Sequence, residues 1–250
     1  MRIIAFCNQK GGVGKSTTCF NVGAALKLSG KKVLFIDGDP QGDLSTMAGF
    51  RTITESDLTL YDVLHGEDIN KAIKDSSSGS IIVSDDTLAR GEADLLKESR
   101  FALKKALNGL RTYYDFVLID CPPSLGILTI NELTAADEVI IPVGARYLEL
   151  RGVSRLRNTL ETVKEKLNPD LTVSGVVVTF YNGQRNLDKE VKESLESAFG
   201  SRVFETTISQ SVKLGEAPSF GESIFEHSPR SKAAAQYKAL AVEIVQSVKE

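Results

Sequence analysis

The sequence has little of what marks secreted proteins or proteins that hold metal clusters. It contains three cysteines, two histidines and no tryptophan in 250 residues. Cys7, Cys19 and Cys121 form no C-x-x-C pair, and each lies within or beside an apolar run. This pattern favours small buried core residues in a reducing cytosol over disulfides or cluster ligands.

Long apolar runs are also missing. No stretch approaches the ~20 apolar residues that a membrane-spanning helix needs. The apolar run at residues 1–6 soon meets Asn8 and Gln9, so it is too short for a signal peptide. We therefore expect a soluble, cytoplasmic protein with no membrane partner.

Excess positive charge is absent as well. The formal net charge is −3, so composition gives no indication of nucleic-acid binding, which would require a local basic patch. No Pro-, Gly- or Ser-rich stretch is long enough for an interdomain linker; the one loose segment is residues 75–80. We expect residues 1–250 to form a single domain.

Short apolar runs rich in Val and Ile alternate with helical patterns along the whole chain. Their continuous apolar character is typical of strands covered on both faces. The predicted strands are residues 3–8, 33–37, 80–84, 116–120, 138–143 and 172–180. The predicted helices are residues 16–28, 96–110, 147–167, 187–199 and 232–248. This order predicts an α/β fold, a mostly parallel twisted β-sheet with helices on both faces.

The last predicted helix has two interpretations. Its apolar stripe could lie on a membrane surface or pack against the sheet. Because its polar face carries both signs of charge, packing is favoured.

A glycine-rich loop follows the first predicted strand and leads directly into a helix. This strand–loop–helix context is that of a phosphate-binding P-loop. Backbone amides of such a loop form a nest for anionic oxygens, and the helix N-terminus adds its dipole. Lys15 would contact the β- and γ-phosphates of ATP, and the Ser16 hydroxyl would ligate Mg²⁺. The candidate nucleotide-binding residues are Lys10, Gly11, Gly12, Val13, Gly14, Lys15, Ser16 and Thr17.

The loop departs from the G-x-x-x-x-G-K-[ST] pattern at one position. Gln9 occupies the place of the first glycine, and a second lysine, Lys10, follows it.

Three carboxylates follow predicted buried strands. Asp37 and Asp39 end one strand, and Asp120 ends another. Because ligands of open α/β sheets bind at the carboxyl ends of strands, we expect all three to face the P-loop. Asp120 fits the carboxylate that holds Mg²⁺ through water, and Asp39 could orient the attacking water.

Together these blocks resemble the ParA/Soj partition ATPases, which belong to the deviant-Walker superfamily with MinD and nitrogenase iron protein. The resemblance rests on N-Q-K-G-G-V-G-K-S-T, D-G-D-P-Q-G-D, D-F-V-L-I-D-C-P-P-S and V-K-L-G-E-A-P-S-F-G, in family order over nearly the whole chain. The last block discriminates most, because the P-loop alone would fit the entire superfamily.

The resemblance implies roles for several residues. Lys10 would be the signature lysine that reaches the phosphates of a partner subunit in an ATP-sandwich homodimer. Asp39 would be tied to hydrolysis, with Lys10 and Lys15 as the other catalytic residues, and Asp37 would assist near the metal. Pro218 would lie in the loop lining the base, and Thr179 and Phe180 are further candidates for that pocket.

The resemblance also implies partners. The ATP dimer would bind double-stranded DNA without sequence preference, and a ParB-like centromere-binding protein would stimulate hydrolysis and release it from the nucleoid. The candidate DNA-contacting residues are Arg202, Lys213, Arg230 and Lys232. Ser209-Gln210 stands where family members often have Pro-Arg, which removes one cation from this face.

Rival functions differ in the features they need. A MinD-like membrane-cycling ATPase should end in a basic amphipathic helix, which residues 239–250 match poorly. An iron–sulfur reductase needs cysteines at a dimer seam, which the spacing here does not supply. A ParA-like ATPase that positions another cargo would share every motif, so this alternative stays open. Because the chain begins at its first strand, we expect no N-terminal helix-turn-helix domain and no sequence-specific operator binding.

Overall fold

The computed structural model describes residues 1–92, 99–110, 112–145 and 150–247, without the side chains of 150–154. Seven strands form one sheet in the order β3-β4-β2-β5-β1-β6-β7. Only the β3–β4 pair is antiparallel among these strand pairs. The strands are β1 Arg2–Phe6, β2 Val33–Asp37, β3 Ile73–Ser76, β4 Gly79–Ile82, β5 Phe116–Asp120, β6 Glu138–Gly144 and β7 Thr172–Thr179.

Helices cover both faces of this sheet. In the described residues they are α1 Lys15–Leu28, α2 Asp43–Met47, α3 Leu60–Leu64, α4 Ile69–Ala72, α5 Thr87–Arg90, α6 Ala102–Leu107, α7 Ile127–Ala135, α8 Leu150–Lys166, α9 Asn186–Phe199, α10 Val212–Glu216, α11 Ile224–His227 and α12 Lys232–Gln246. Short 3₁₀ segments lie at Asn108–Leu110, Gly200–Arg202 and Ala217–Phe220.

Side chains that alternate along each central strand divide the core into two clusters. Ile3 and Ala5 of β1 pack into one cluster, whereas Ile4 and Phe6 pack into the other. The first cluster includes buried residues of α3, α6, α7 and α8, and the second includes those of α1 and α12. The predicted fold, a mostly parallel sheet with helices on both faces, is confirmed.

Residues 75–80, predicted to be a loose segment, instead form most of a β-hairpin, so that prediction was wrong. Asp75 and Ser76 belong to β3, and Gly79 opens β4. The Ser76 hydroxyl donates to the Gly79 carbonyl at 2.7 Å and closes the turn. The pattern misled because β3 is a polar antiparallel edge strand, which needs no apolar side chains on both faces.

Most other predicted elements agree with the structure to within one or two residues. The predicted helices 96–110, 147–167 and 232–248 extend into residues 96–98, 147–149 and 248, which lie outside the described residues. Their described parts contain α6 with its 3₁₀ continuation, α8 and α12. Residues 99–101 are not helical, so the predicted start of the helix at 96–110 was wrong in its described part.

Helix α12 packs mainly against α1 rather than directly on the sheet. Of the predicted apolar stripe, Leu240 and Ile244 are buried, Val245 is exposed, and Val248 lies outside the described residues. Tyr237, Leu240 and Ile244 are fully buried in the second core cluster. The three cysteines are buried and form no disulfide, again as predicted. None of the described helices combines the length and apolar content needed to span a bilayer.

Gly23 tests how tightly α1 is held on the sheet. A Cβ at Gly23 would lie 2.2 Å from Cε1 of Phe35 on β2. We expect Gly23→Ala to reduce the free energy of unfolding by about 1–3 kcal/mol, because the packed core must shift to admit the methyl group. Urea denaturation measures this change. Gly109→Ala, where a Cβ meets nothing within 4 Å, is the control, and equal effects of both substitutions would contradict the expectation.

Candidate nucleotide-binding site

The loop between β1 and α1 has the backbone of a phosphate nest. Gly12 and Gly14 adopt left-handed conformations, with φ of 71° and 84°, which side chains other than glycine rarely tolerate. Gly14 is the N-cap of α1, and it supplies no capping side chain. The first amides of α1 therefore remain available to an anion at the positive end of the helix dipole.

Neighbouring strands hold this loop in place. The Asn8 side chain donates to the Pro142 carbonyl at 2.7 Å and accepts from the Lys10 amide at 3.0 Å. The Thr179 hydroxyl donates to the Val13 carbonyl at 2.7 Å. These contacts fix the loop at both ends before any ligand arrives.

Thr179 and Phe180, candidates for a base pocket, lie against the P-loop in the structure. The Phe180 ring comes within 3.8 Å of the ideal Cβ position of Gly14. Among the described residues, Phe180 is the one non-glycine with positive φ, at 55°. Such strained backbone tends to occur at functional sites. Their contact with a nucleotide base stays a prediction.

The two loop lysines have different surroundings. Lys15, the first residue of α1, is only 7% exposed, whereas Lys10 is exposed at the start of the loop. The Lys15 ammonium lies close enough to lower the pKa values of Asp120 and Asp43, although burial outweighs it at both sites. Lys15 thus belongs to the interior of the site, and Lys10 to its outer edge.

Asp37 and Asp120 are direct neighbours at the carboxyl ends of β2 and β5. Asp37 accepts hydrogen bonds from the Ser45 amide at 2.7 Å and the Ser45 hydroxyl at 2.6 Å. Burial raises the pKa of Asp37 to about 7, despite these hydrogen bonds. The Ser45 hydroxyl also accepts from the Ser84 amide at 3.0 Å. Helix α2 and Ser84, two residues beyond β4, thus together orient this carboxyl group.

Asp120 is fully buried. Neither of its carboxyl oxygens has a hydrogen-bond partner among the described residues. Burial raises its pKa well above the usual range, and nearby Asp37 raises it further. Ser16 lies near enough to lower this pKa, although its hydroxyl is not within hydrogen-bonding geometry of Asp120.

These residues fit a divalent cation. Carboxylate and hydroxyl oxygens are the ligands Mg²⁺ prefers, and the ion usually takes few protein ligands beside phosphate and water. Within the described residues, no group of three or more His, Cys, Asp or Glu side chains could hold a metal by itself. Ser16, Asp37 and Asp120 therefore suit an ion that arrives together with a phosphate ligand.

Asp39 lies at the rim of this acidic group. It is 8% exposed and accepts a hydrogen bond from the Gln41 amide at 3.0 Å. The Asp39 amide in turn donates to Asp37 at 3.3 Å. The structure thus brings Asp37, Asp39 and Asp120 together beside Lys15, as the sequence predicted.

The structure places Pro218 in the 3₁₀ segment Ala217–Phe220, which contacts α2. Its carbonyl accepts a hydrogen bond from Arg51 at 3.3 Å. Pro218 therefore lies beside the helix that follows the D-G-D motif, and its contact with the base stays a prediction.

The four candidate DNA-contacting residues line different cavities or surfaces of the structure. Arg202 lines a 260 Å³ cavity with Thr172 and Val173, at the amino end of β7. Lys232 lines a 390 Å³ cavity with Phe180, just beyond the carboxyl end of that strand. An eight-residue strand spans roughly 25 Å at about 3.3 Å per residue. Arg202 and Lys232 therefore lie at opposite ends of β7.

The other two candidates have their own surroundings. Lys213 pairs with Glu216 at 2.8 Å on exposed α10. Arg230, two residues before Lys232, lines an 860 Å³ groove with Leu28 and Lys31 at the C-terminal end of α1.

Sequence reasoning missed three polar residues near the site. Ser45 orients Asp37, Asp43 lies near Asp39 and Lys15, and Glu132 is buried near Asp120. Asp43 closes the D-G-D-P-Q-G-D block, so the block itself carried a signal for it. Ser45 and Glu132 belong to no recognisable motif, and only the folded chain brings them to the site.

The P-loop nest, the buried lysine and the acidic strand ends define a P-loop ATPase site. Comparison with known proteins agrees: a family model described as an AAA domain matches residues 1–173. The Bacillus subtilis sporulation initiation inhibitor protein Soj is 42% identical over 97% of this chain and 98% of its own length. The Caulobacter vibrioides chromosome partitioning protein ParA is 40% identical over 98% of this chain and 94% of its own length.

A solved structure is also similar. The Mycobacterium smegmatis cobyrinic acid a,c-diamide synthase with a bound ATP analogue and magnesium has a TM-score of 0.88 and 33% identity, covering 98% of this chain and 94% of that one. With relatives of this identity over nearly the full length, the chain belongs to the ParA/Soj family of partition ATPases.

Asp120 allows a test of the cation site through stability. Asp120→Asn removes a buried acidic group that lacks a partner and faces another carboxyl. We expect the ligand-free variant to melt at a higher temperature than the parent protein, because less desolvation and repulsion oppose folding. The same variant should lose most of the rise in melting temperature on addition of Mg²⁺ and ATP.

Thermal denaturation with and without Mg·ATP measures both effects. The control is Asp86→Asn, which removes an exposed ion pair and should change neither quantity much. An Asp120→Asn protein that Mg·ATP still stabilises as fully as the parent would contradict the assignment.

Proposed function

We propose that this protein is an ATP-hydrolysing molecular switch for DNA segregation. Its ATP form is a sandwich homodimer that binds double-stranded DNA without sequence preference and leaves it after hydrolysis. The observation that carries the proposal is the site itself: a phosphate nest whose buried Lys15 faces the unpartnered carboxylate of Asp120. Membership of the ParA/Soj family supports a cycle in which the ATP form binds DNA and hydrolysis releases it.

Each residue of the site has a place in this chemistry. The amides of Gly11, Gly12, Val13 and Gly14, with Lys15, Ser16 and Thr17, hold the triphosphate. Ser16 and Asp120, assisted by Asp37, would hold Mg²⁺, which neutralises charge on the β- and γ-phosphates when bound. Asp39 orients the water that attacks the γ-phosphorus as the bond to ADP breaks. Pro218 lies in the segment proposed to line the base.

Lys10 links the chemistry to dimerisation. The exposed start of the loop suits a lysine that extends to the phosphates of an opposing subunit. Two facing triphosphates repel each other unless cations neutralise them, so such a lysine makes the dimer dependent on ATP. A cation supplied in trans also stabilises charge in the transition state, which is worth ~10³–10⁵ in rate where it has been measured.

The cavity beside Phe180 is the best-supported DNA face. Arg185 and Lys232 line it with Asn182, Thr207, Ser209 and Gln210, and no acidic side chain of the described residues lines it. Its contact with Phe180 places it next to the P-loop, where ATP binding could affect it. Arg185 was not a sequence candidate, and it offers a cation near Ser209-Gln210. Lys213, Arg230 and Arg202 stay candidates for a wider surface.

Release would be stimulated by a ParB-like partner, and the switch would act in the cytoplasm on the nucleoid. The alternative functions keep the same ATPase cycle with another cargo or a membrane. Tyr237, Leu240 and Ile244 of α12 are buried, which disfavours a MinD-like membrane helix. Val242 and Val245 are the exposed apolar residues that such a helix would have to use. A different cargo, positioned on DNA in the same way, stays the second candidate, because it would need the same site.

Three substitutions test the cycle. We expect Lys15→Ala to lose ATP binding, dimerisation and DNA binding, because the phosphates lose their buried cation. Asp39→Ala should form the ATP dimer, bind DNA and fail to turn over. Lys10→Ala should bind ATP as a monomer. Equilibrium ATP binding, light scattering and DNA co-sedimentation with ATP, ADP and no nucleotide measure these outcomes. DNA binding that is indifferent to nucleotide would reject the switch.

The DNA face has its own test. We expect the Arg185→Ala/Lys232→Ala double variant to bind DNA at least about tenfold more weakly with ATP. The slope of log affinity against log salt should fall by about 0.9 for each DNA phosphate that the variant no longer neutralises. Arg202→Ala, at the opposite end of β7, is the comparison in which a single cation is removed. If Arg202→Ala weakens DNA binding more than the double variant does, the DNA face lies at the amino end of β7 instead.

A further inference from the structure

A buried carboxyl group lies directly behind the turn that carries Asp39. Glu132, on α7, is 2% exposed, and neither of its oxygens has a hydrogen-bond partner among the described residues. Native proteins rarely keep such a group in the core without a function for it. The P-loop and the cation site described above assign it none.

The Glu132 carboxyl group fills the space beside Gly38. A Cβ at Gly38 would lie 2.0 Å from Oε1 of Glu132 and 2.9 Å from the carbonyl oxygen of Asp120. The Gly38 amide donates to that same carbonyl at 2.9 Å. Gly38 is thus enclosed between the end of β5 and the Glu132 carboxyl group, with no room for a side chain.

Gly38 connects Asp37 to Asp39, and its position matters for both. Asp37 is fixed by Ser45, whereas the hydrogen bonds of Asp39 are formed with its own turn. Glycine is the residue whose backbone moves most freely. The hydrogen bond from the Gly38 amide to the Asp120 carbonyl holds one side of this turn. The Glu132 carboxyl group is a second contact from outside the turn, and it limits where Asp39 can move.

The surroundings of Glu132 favour its neutral form. Burial raises the pKa of Glu132 well above its usual range, and nearby Asp120 and Asp39 raise it further, against an opposing effect of the Cys121 thiol. In the described residues no cation pairs with it. A neutral carboxyl group can lie against a peptide group without adding negative charge to the acidic group of Asp37, Asp39 and Asp120.

We infer that Glu132 is a positioning residue for ATP hydrolysis: it supports Gly38 from behind and so fixes the carboxylate of Asp39 relative to the P-loop. The inference rests on the role proposed above for Asp39. In this role Glu132 acts through the backbone of the D-G-D turn rather than on the reacting atoms.

Two variants of Glu132 separate shape from charge. Glu132→Gln has nearly the same shape and no charge, and it should keep kcat within about twofold of the parent value. Glu132→Ala leaves space behind Gly38 and should lower kcat roughly ten- to hundredfold, because small displacements of catalytic groups have effects of this size. The KM for ATP and the ATP-dependent dimer should be unchanged in both variants, because the P-loop is intact.

The stability control is Leu133→Ala on the same helix, where Leu133 is fully buried in the core. It should lower the melting temperature and leave kcat unchanged well below that temperature. If Glu132→Ala keeps the parent kcat, or if Glu132→Gln loses as much as Glu132→Ala, the inference is wrong. If Asp39→Ala hydrolyses ATP normally, the proposed function of Asp39 fails instead, and that result is distinct.

The contact itself can be tested without turnover. Gly38→Ala should lower the melting temperature of the ligand-free protein, because its methyl group would overlap Oε1 of Glu132. In the Glu132→Ala background the same substitution should cost less, with the Asp120 carbonyl still limiting the recovery. Additive effects of Gly38→Ala and Glu132→Ala on melting temperature would show that the two residues do not touch, and would overturn the inference.

Discussion

The structure depends on an imbalance of charge at one edge of the sheet. Asp37 and Asp120 end adjacent strands at equivalent positions and are fully buried, with Asp39 at the rim beside them. The positive charge near these carboxyl groups comes from the ammonium group of Lys15 and from the uncapped N-terminus of α1. Burial of like charges without a partner opposes folding, so the apolar contacts of the two core clusters must hold this edge together. A metal-bound triphosphate would supply the missing positive charge and the oxygens for the P-loop amides.

The parallel arrangement of the central strands is what creates this edge. Because β1, β2 and β5 run in the same direction, the P-loop, Asp37 and Asp120 all emerge on one side. Continuous runs of Val and Ile reveal such strands in the sequence, since strands covered on both faces leave no polar alternation. The bounds of β2 and β5 could therefore be predicted to the residue, and with them the positions of Asp37 and Asp120. The P-loop glycines could also be predicted from the sequence, because their spacing reflects the backbone conformation that a phosphate nest requires.

Other features could not be read from local pattern. The edge strand β3 is polar, and its residues resemble a loop until they are seen paired with β4. Ser45 and Glu132 reach the site through tertiary packing, eight and ninety-four residues after Asp37 and Gly38 respectively. The separation of Arg202 from Lys232 follows from the direction of β7 between them. In each case the missing information was which distant elements meet, and spacing along the chain does not carry it.

This arrangement also explains how a small ligand could switch a large surface. The loop is anchored by Asn8 to β6 and by Thr179 to β7, and the strained Phe180 lies between Gly14 and the cavity lined by Arg185 and Lys232. In the proposed cycle, charge neutralised at the P-loop would act on a segment that borders the proposed DNA face. On the other side, Gly38 and Asp39 move only as far as Glu132 and β5 allow. A ligand can shift the equilibrium between two protein states only through contacts that differ between those states. A site that is held firmly from behind and strained at its outer border is therefore suited to convert the presence of a γ-phosphate into a change at the protein surface.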